Sequence, residues 1–175
     1  MLIETLIELI KYIAPAFIVF LTAYFSIKQL IINNEQSRKT EIVLGNQKII
    51  TPLKLQAYER LIILLERLAP DALIMRISKP EMSSKQIHTA LLNTIRTEFE
   101  HNLSQQIYIS SKAWGVVKGA KENLIKIINV ASEKVETDKP GIFLSKELID
   151  HFMNIEKTPT QIAIDYLKEE IQAFL

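Results

Sequence analysis

Glu98 and His101 stand three residues apart within TEFEHNLSQQIYIS, residues 97–110. On a helix this spacing sets a carboxylate and an imidazole on neighbouring faces, as in the carboxylate-bridged metal sites of helical bundles. Such a di-metal site needs a second Glu-x-x-His on another helix and a further Glu on each of two more. The remaining histidines are His88 and His151, and the residues three before them are Lys85 and Leu148. The second half of the motif is therefore missing. A mononuclear site built on Glu98 and His101 would have to recruit a distant Asp150 or His151. Glu98 and His101 are thus the candidates for metal or enzyme chemistry, and no catalytic residue or cofactor is assigned.

Helix phase points to a structural role instead. With Ile87 at zero, Leu91, Ile95 and Phe99 fall at about 40°, 80° and 120°. Glu98 and Asn102 fall at about 20° and 60°, inside that apolar arc, and His101 at its edge, near about 320°. Glu98 and Asn102 are expected to be at least half buried. A buried carboxylate must find a partner or take up a proton. Arg60, Arg67, Arg96 and Lys121 are the candidate partners. Glu98, His101 and Asn102 are therefore expected to form a buried polar junction between two helices. The following SQQIYIS is expected to be an extended connector, with Ser104, Gln105 and Gln106 satisfying carbonyls at the helix end.

Other chemistry finds little support. Cysteine is absent, which removes disulfides, thiolate catalysis and Cys-rich zinc sites. No G-x-S-x-G is present, and four glycines cannot build a phosphate loop or dinucleotide fingerprint in the usual form. A formal net charge of +1 gives no pull toward nucleic acid. Lys112, Lys118 and Lys121 surround Trp114, but Trp114 lies on the apolar face of its helix and reads as core.

The elements that carry these residues are helical. Hydrophobic residues are 48% and charged residues 23%, so the chain is globular, and scarce glycine disfavours a turn-rich β fold. The expected fold class is all-α, an N-terminal transmembrane helix followed by a small multi-helix bundle. Thr51-Pro52 reads as an N-cap followed by proline at the first helical position, and Pro70 closes that helix and opens a short one. The stripe Leu55, Tyr58, Ile62 and Leu65, widened by Leu61, Leu64 and Leu68, is its core face. Ser83 and Gln86 form a capping box. Ser110 or Ser111 opens the Trp114 helix, and Ser145 caps the next after the break at 136–141. Thr158 to Gln161 combines a capping box with proline at the first position. The last helix places Ile164, Leu167, Ile171 and Phe174 on one face.

The N-terminal segment reads as a membrane anchor. Tyr12 to Ile27 is uncharged, about 16 residues or about 24 Å of helix, against a hydrocarbon core of about 30 Å. Counted from Leu2, the apolar pattern reaches about 39 Å. Phe17, Phe20, Ile27 and their apolar neighbours supply about −2 to −5 kcal/mol for insertion. Tyr12 and Tyr24 flank the run as interfacial aromatics, and Glu4, Glu8 and Lys11 share a face that suits the headgroups. A cleaved signal is the competing reading, but Glu4 and Glu8 occupy the would-be basic region and no A-x-A follows. A buried or surface-lying helix is the other alternative, because the run is short. Lys28, Arg38, Lys39 and Lys48 follow the run and only Lys11 precedes the flank, which orients the N-terminus outside and the remainder in the cytoplasm of a single-pass inner-membrane protein. Lys28, Arg38 and Lys39 also form a juxtamembrane basic group.

The expected organisation is 1–34 for the membrane helix and its continuation, 35–50 for a connector, and 51–175 for a cytoplasmic helical domain. Gly45-Asn46 between two β-prone runs gives the connector a weak hairpin signal. The strings LKLQAYERLIILLERLAP (53–70) and EFEHNLSQQIYIS with SKAWGVVKGAKE (98–122) resemble an uncharacterised family of bacterial proteins. The resemblance implies one N-terminal span followed by a small helical domain, and it brings no activity or catalytic residue. The expected function is a membrane-tethered, non-catalytic interaction or scaffold module. Its partners would be the lipid bilayer and an unknown protein or a second copy, with no nucleic acid.

Overall fold

Proline, serine and threonine divide the chain where capping chemistry directs. In the computed structural model the backbone is described for residues 2–174, and the side chains for 17–173 apart from 32–33, 35–37, 39–40, 42–43 and 46. Among the described residues there are six α-helices: α1 Leu2–Arg67, α2 Pro70–Ile77, α3 Ser84–Glu100, α4 Ser111–Glu133, α5 Ile142–Met153 and α6 Pro159–Phe174. A 3-10 helix, Leu103–Ile107, joins α3 to α4. The only β-pairing among them is an isolated bridge between Ser83 and Pro140. The fold is all-helical, and residues 51–175 form a bundle.

The chain divides into two compact units, 1–50 and 51–175. In the first, α1 continues through 35–50, so the hairpin signal at Gly45-Asn46 does not fold as a hairpin. The β-prone runs on either side are carried within the helix, and among the described residues there is no strand for them to pair with. Thr51-Pro52 lies inside α1 and is not its start. Pro52 removes one N–H from the ladder there, a cost the helix absorbs. Among the described residues no helix is long and apolar enough to cross a membrane. The charge-free run begins at Tyr12, and its residues 12–16 lie outside the described side chains, as does Lys39.

In the second unit, capping decides the boundaries. Ser83 accepts from Gln86 N at 3.3 Å, and Gln86 Oε1 accepts from Ser83 N at 2.9 Å, a complete capping box. Ser110 Oγ accepts from Ala113 N at 2.9 Å and opens α4. Thr158 Oγ1 accepts from Gln161 N at 3.2 Å, while the Gln161 side chain turns instead to Asp165 at 2.9 Å. Ser145 is not a cap. It is buried within α5 and shares a hydrogen bond with Ser78 at 2.8 Å. The start of α5 is set earlier, where Gly141 N donates to Met82 O at 2.8 Å. A β-carbon on Gly141 would stand 2.2 Å from Ile87 Cδ1 and 2.8 Å from Met82 O, so only glycine lets the two backbones approach so closely.

The core runs through all six helices of this unit. Leu61, Leu64, Leu65 and Leu68 of α1 meet Ile87, Leu91 and Ile95 of α3, Leu124 and Ile128 of α4, Leu144 and Leu148 of α5, and Ile164 and Leu167 of α6. Each such side chain contributes about 1.5–3 kcal/mol through burial. α4 is the central helix, packing on α3, α5 and α6. The face of α1 centres on Leu61 and Leu64, and Leu55 is exposed. The Phe174 side chain lies outside the described residues.

Candidate functional site

The last turn of α3 brings Glu98 against the ends of α1 and α2. Pro70 forces a turn directly after α1, so Arg67 in the last turn of α1 and Arg76 in the last turn of α2 both face it. Arg67 Nε donates to Oε1 and Oε2 of Glu98, at 3.1 Å each, and Arg67 Nη2 donates to Oε1 as well. Arg76 Nη2 stands 3.8 Å from the same oxygen and donates to the Arg67 carbonyl at 3.1 Å. The Glu98 side chain is 18% exposed and that of Arg67 52%, so the carboxylate is shielded from one side and the guanidinium caps it from solvent. The hydrogen bonds and charge of Glu98 hold the Arg67 guanidinium above its ordinary value.

Asn102 is half-buried and reaches Glu98 through its backbone, with Nδ2 donating to the Glu98 carbonyl at 2.9 Å. His101 does not join them. α3 ends at Glu100, and His101 is the exposed residue that caps it. The expected extended run after it is instead a 3-10 helix. Asn102 N, Gln105 N and Tyr108 N donate in turn to the carbonyls of Phe99, Asn102 and Gln105, each at 3.0 Å. Turns every three residues satisfy this backbone locally and leave no need for a strand partner. Behind the junction, Phe99 stacks on Trp114 with centroids 5.1 Å apart, and Lys121 Nζ lies 4.4 Å over the Phe99 ring.

Among the described residues no three His, Asp or Glu side chains come together in a way that could hold a metal ion. Both Glu98 oxygens are turned to Arg67, and His88 shares a hydrogen bond with Asn129 Oδ1 at 2.8 Å. Asp150 and His151 lie exposed on α5.

A second polar cluster escaped the sequence. Tyr58 of α1 donates to Glu170 Oε1 at 2.5 Å, and Ser110 donates to Glu170 Oε2 at 3.0 Å. Burial pushes the Tyr58 phenol well above its ordinary value, with the neighbouring Glu170 adding to the effect. Burial also pushes Glu170 upward, but the hydrogen bonds from Tyr58, Ser110 and Tyr166 outweigh it, and its carboxyl is held below the usual range. The cluster borders a cavity of about 290 Å³ walled by Tyr108 and Ile109. The capping role of Ser110 and the core-face position of Tyr58 are legible in the sequence, but their meeting with Glu170 is not, because Tyr58 and Glu170 lie 112 residues apart.

Two shallow apolar grooves flank α5. One, of about 340 Å³, runs between α4 and α5 over Ile127, Val130 and Pro159. The other, of about 220 Å³, lies over Ile74, Phe152 and Met153.

In the first unit, Phe17, Ile18, Val19 and Phe20 are consecutive and exposed, as are Tyr24, Phe25 and Ile27. At about 100° per residue they cover most of the circumference of α1, and Thr22 and Ser26 share the remaining arc. Thr22 folds its hydroxyl back to the carbonyls of Ile18 and Val19 at 3.0 and 2.9 Å. Lys28 and Arg38 are exposed beyond them.

The sequence profile of a family of unknown function, DUF7935, matches residues 4–174. No curated protein and no solved structure matches the chain.

Proposed function

We propose that this chain, which belongs to the DUF7935 family of unknown function, is a membrane-tethered, non-catalytic interaction module. Its N-terminal helix crosses the bilayer once, and residues 51–175 present a helical surface to a protein partner. The observation that carries the reading is the described run from Phe17 to Ile27. There α1 exposes large apolar side chains over most of its circumference, and the arc left to Thr22 and Ser26 is small and uncharged, unlike the strongly charged face of a helix lying flat on a membrane. The Thr22 hydroxyl, bonded within its own helix, is satisfied in the way hydrocarbon requires. In sequence the run extends without charge to Tyr12, and apolar residues continue to Leu2. Lys28, Arg38, Lys39 and Lys48 after it support an inner-membrane location with the N-terminus outside and the bundle in the cytoplasm.

The pairing of Glu98 with Arg67 supports a structural and not a chemical role for the Glu-x-x-His pair. Alkaline extraction of membranes from cells expressing the full chain tests the tether. The chain stays in the pellet, and Phe20→Arg, which places a charge mid-run, moves a large share into the supernatant. Complete extraction of the unaltered chain would defeat the proposal.

A further inference from the structure

α5 turns its buried side inward through Leu144, Ser145 and Leu148, and its outer side carries an unusual load. Ile142, Phe143, Ile149 and Met153 are all exposed, Ile142 by 68% and Met153 by 78%. With Phe143 at zero, Asp150, Lys146, Met153, Ile142 and Ile149 fall at about 340°, 300°, 280°, 260° and 240°. These six residues therefore share an arc of about 120°, four apolar with one cation and one anion between them. The neighbouring charges are engaged elsewhere: Glu147 binds Lys134 at 2.6 Å, and Lys139 binds Glu136 at 3.0 Å. Among the described residues no ion pair engages Lys146 or Asp150.

That arc is complementary to itself. When two α5 helices run antiparallel with their midpoints together, Lys146 meets the second copy's Asp150, and Asp150 meets the second copy's Lys146. The same alignment opposes Phe143 to the second copy's Met153 and brings the two Ile149 side chains together near the axis. A two-fold contact demands this reciprocity, in which residue i meets j and j meets i. We propose that a second copy of this chain docks on the outer face of α5, antiparallel about a two-fold axis. The proposal rests on the interaction-module reading and names its partner. The charge pairs fix the register, and the apolar residues on either side supply the area removed from water.

The test uses the full chain in detergent micelles, with mass read by light scattering. The unaltered chain is a dimer. Lys146→Glu sets Glu against Asp, and Asp150→Lys sets Lys against Lys, so each variant alone loses the dimer. Mixing the two variants restores it, because each interface pair is then opposite in sign. The double variant Lys146→Glu/Asp150→Lys is also a dimer. Far-UV circular dichroism of all variants matches the parent, since both positions are exposed. The chain has no cysteine, so Ile149→Cys cross-links to its own copy on mild oxidation. A monomeric parent, or a dimer indifferent to the charge reversals, overturns the proposal. Alkaline extraction of the same variants reads the tether separately, so a monomer that stays in the membrane overturns the dimer alone.

Discussion

Arg67 closes over both carboxylate oxygens of Glu98, joining the last turn of α1 to the last turn of α3 across 31 residues of sequence. Each helix C-terminus is a region of negative partial charge, which favours the guanidinium on α1 and disfavours the carboxylate on α3. The pair resolves that conflict, and Arg76 supports it by donating to the Arg67 carbonyl. The contact ties three helix ends together and commits both Glu98 oxygens to Arg67.

Arg67→Met should therefore destabilise the bundle more than Arg67→Met combined with Glu98→Leu, because the single change strands a mostly buried carboxylate. Urea denaturation of both variants against Glu98→Leu alone gives the coupling, and additive effects would contradict the pairing. His101→Ala should shift stability by less than about 0.5 kcal/mol, as an exposed side chain outside the junction.

Stability should fall at both ends of the pH scale through one cluster. Glu170 is held below the ordinary carboxyl value of 4.5, so its contribution is complete above that value and is lost as pH falls below it. Tyr58 is raised above the ordinary phenol value of 10.0. Its folded form keeps the proton after the unfolded form has lost it, so stability is full below 10.0 and declines as pH rises beyond it. Tyr58→Phe should cost about 1.5–3 kcal/mol at neutral pH through the lost hydrogen bond to a charged acceptor. It should also flatten the alkaline decline, and Glu170→Gln should flatten the acid one. Chemical denaturation at stepped pH measures each limb.

Gly141→Ala should destabilise by about 1–3 kcal/mol, because the added methyl group meets both a side chain and a backbone carbonyl. Ile87→Val in the same chain should recover part of this, since Ile87 Cδ1 is the nearer obstacle. The Met82 carbonyl cannot withdraw so readily. Thermal unfolding of the two variants separates the contributions.

Much of the bundle was readable because helix caps are local. Ser83 with Gln86, Ser110, Thr158 and Pro70 act within one turn of where they stand, and each opens the helix its sequence announces. Ser145 misled because the start of α5 is fixed from outside, by the Gly141 bond to Met82 and the close approach to Ile87. Thr51-Pro52 misled because a proline that suits a helix start can also be carried within a longer helix. At the junction, phase gave the half-burial of Glu98 and Asn102, and Arg67 was among four possible partners. Which of the four it would be depended on the turn at Pro70. Tyr58 and Glu170 could not be paired at all before α1 and α6 were known to meet.

The central claim is that the N-terminal helix carries the bundle on a membrane, with its two ends on opposite sides. A chain without cysteine lets single thiols report this directly. Glu4→Cys and Lys118→Cys, each in the full chain, are exposed to a membrane-impermeant thiol reagent on right-side-out vesicles; Lys118 is exposed on α4, away from α5. The thiol at position 4 should be labelled at once and the thiol at position 118 only after the vesicles are opened. Equal labelling of both thiols before opening, or recovery of the chain outside the membrane fraction, would contradict it.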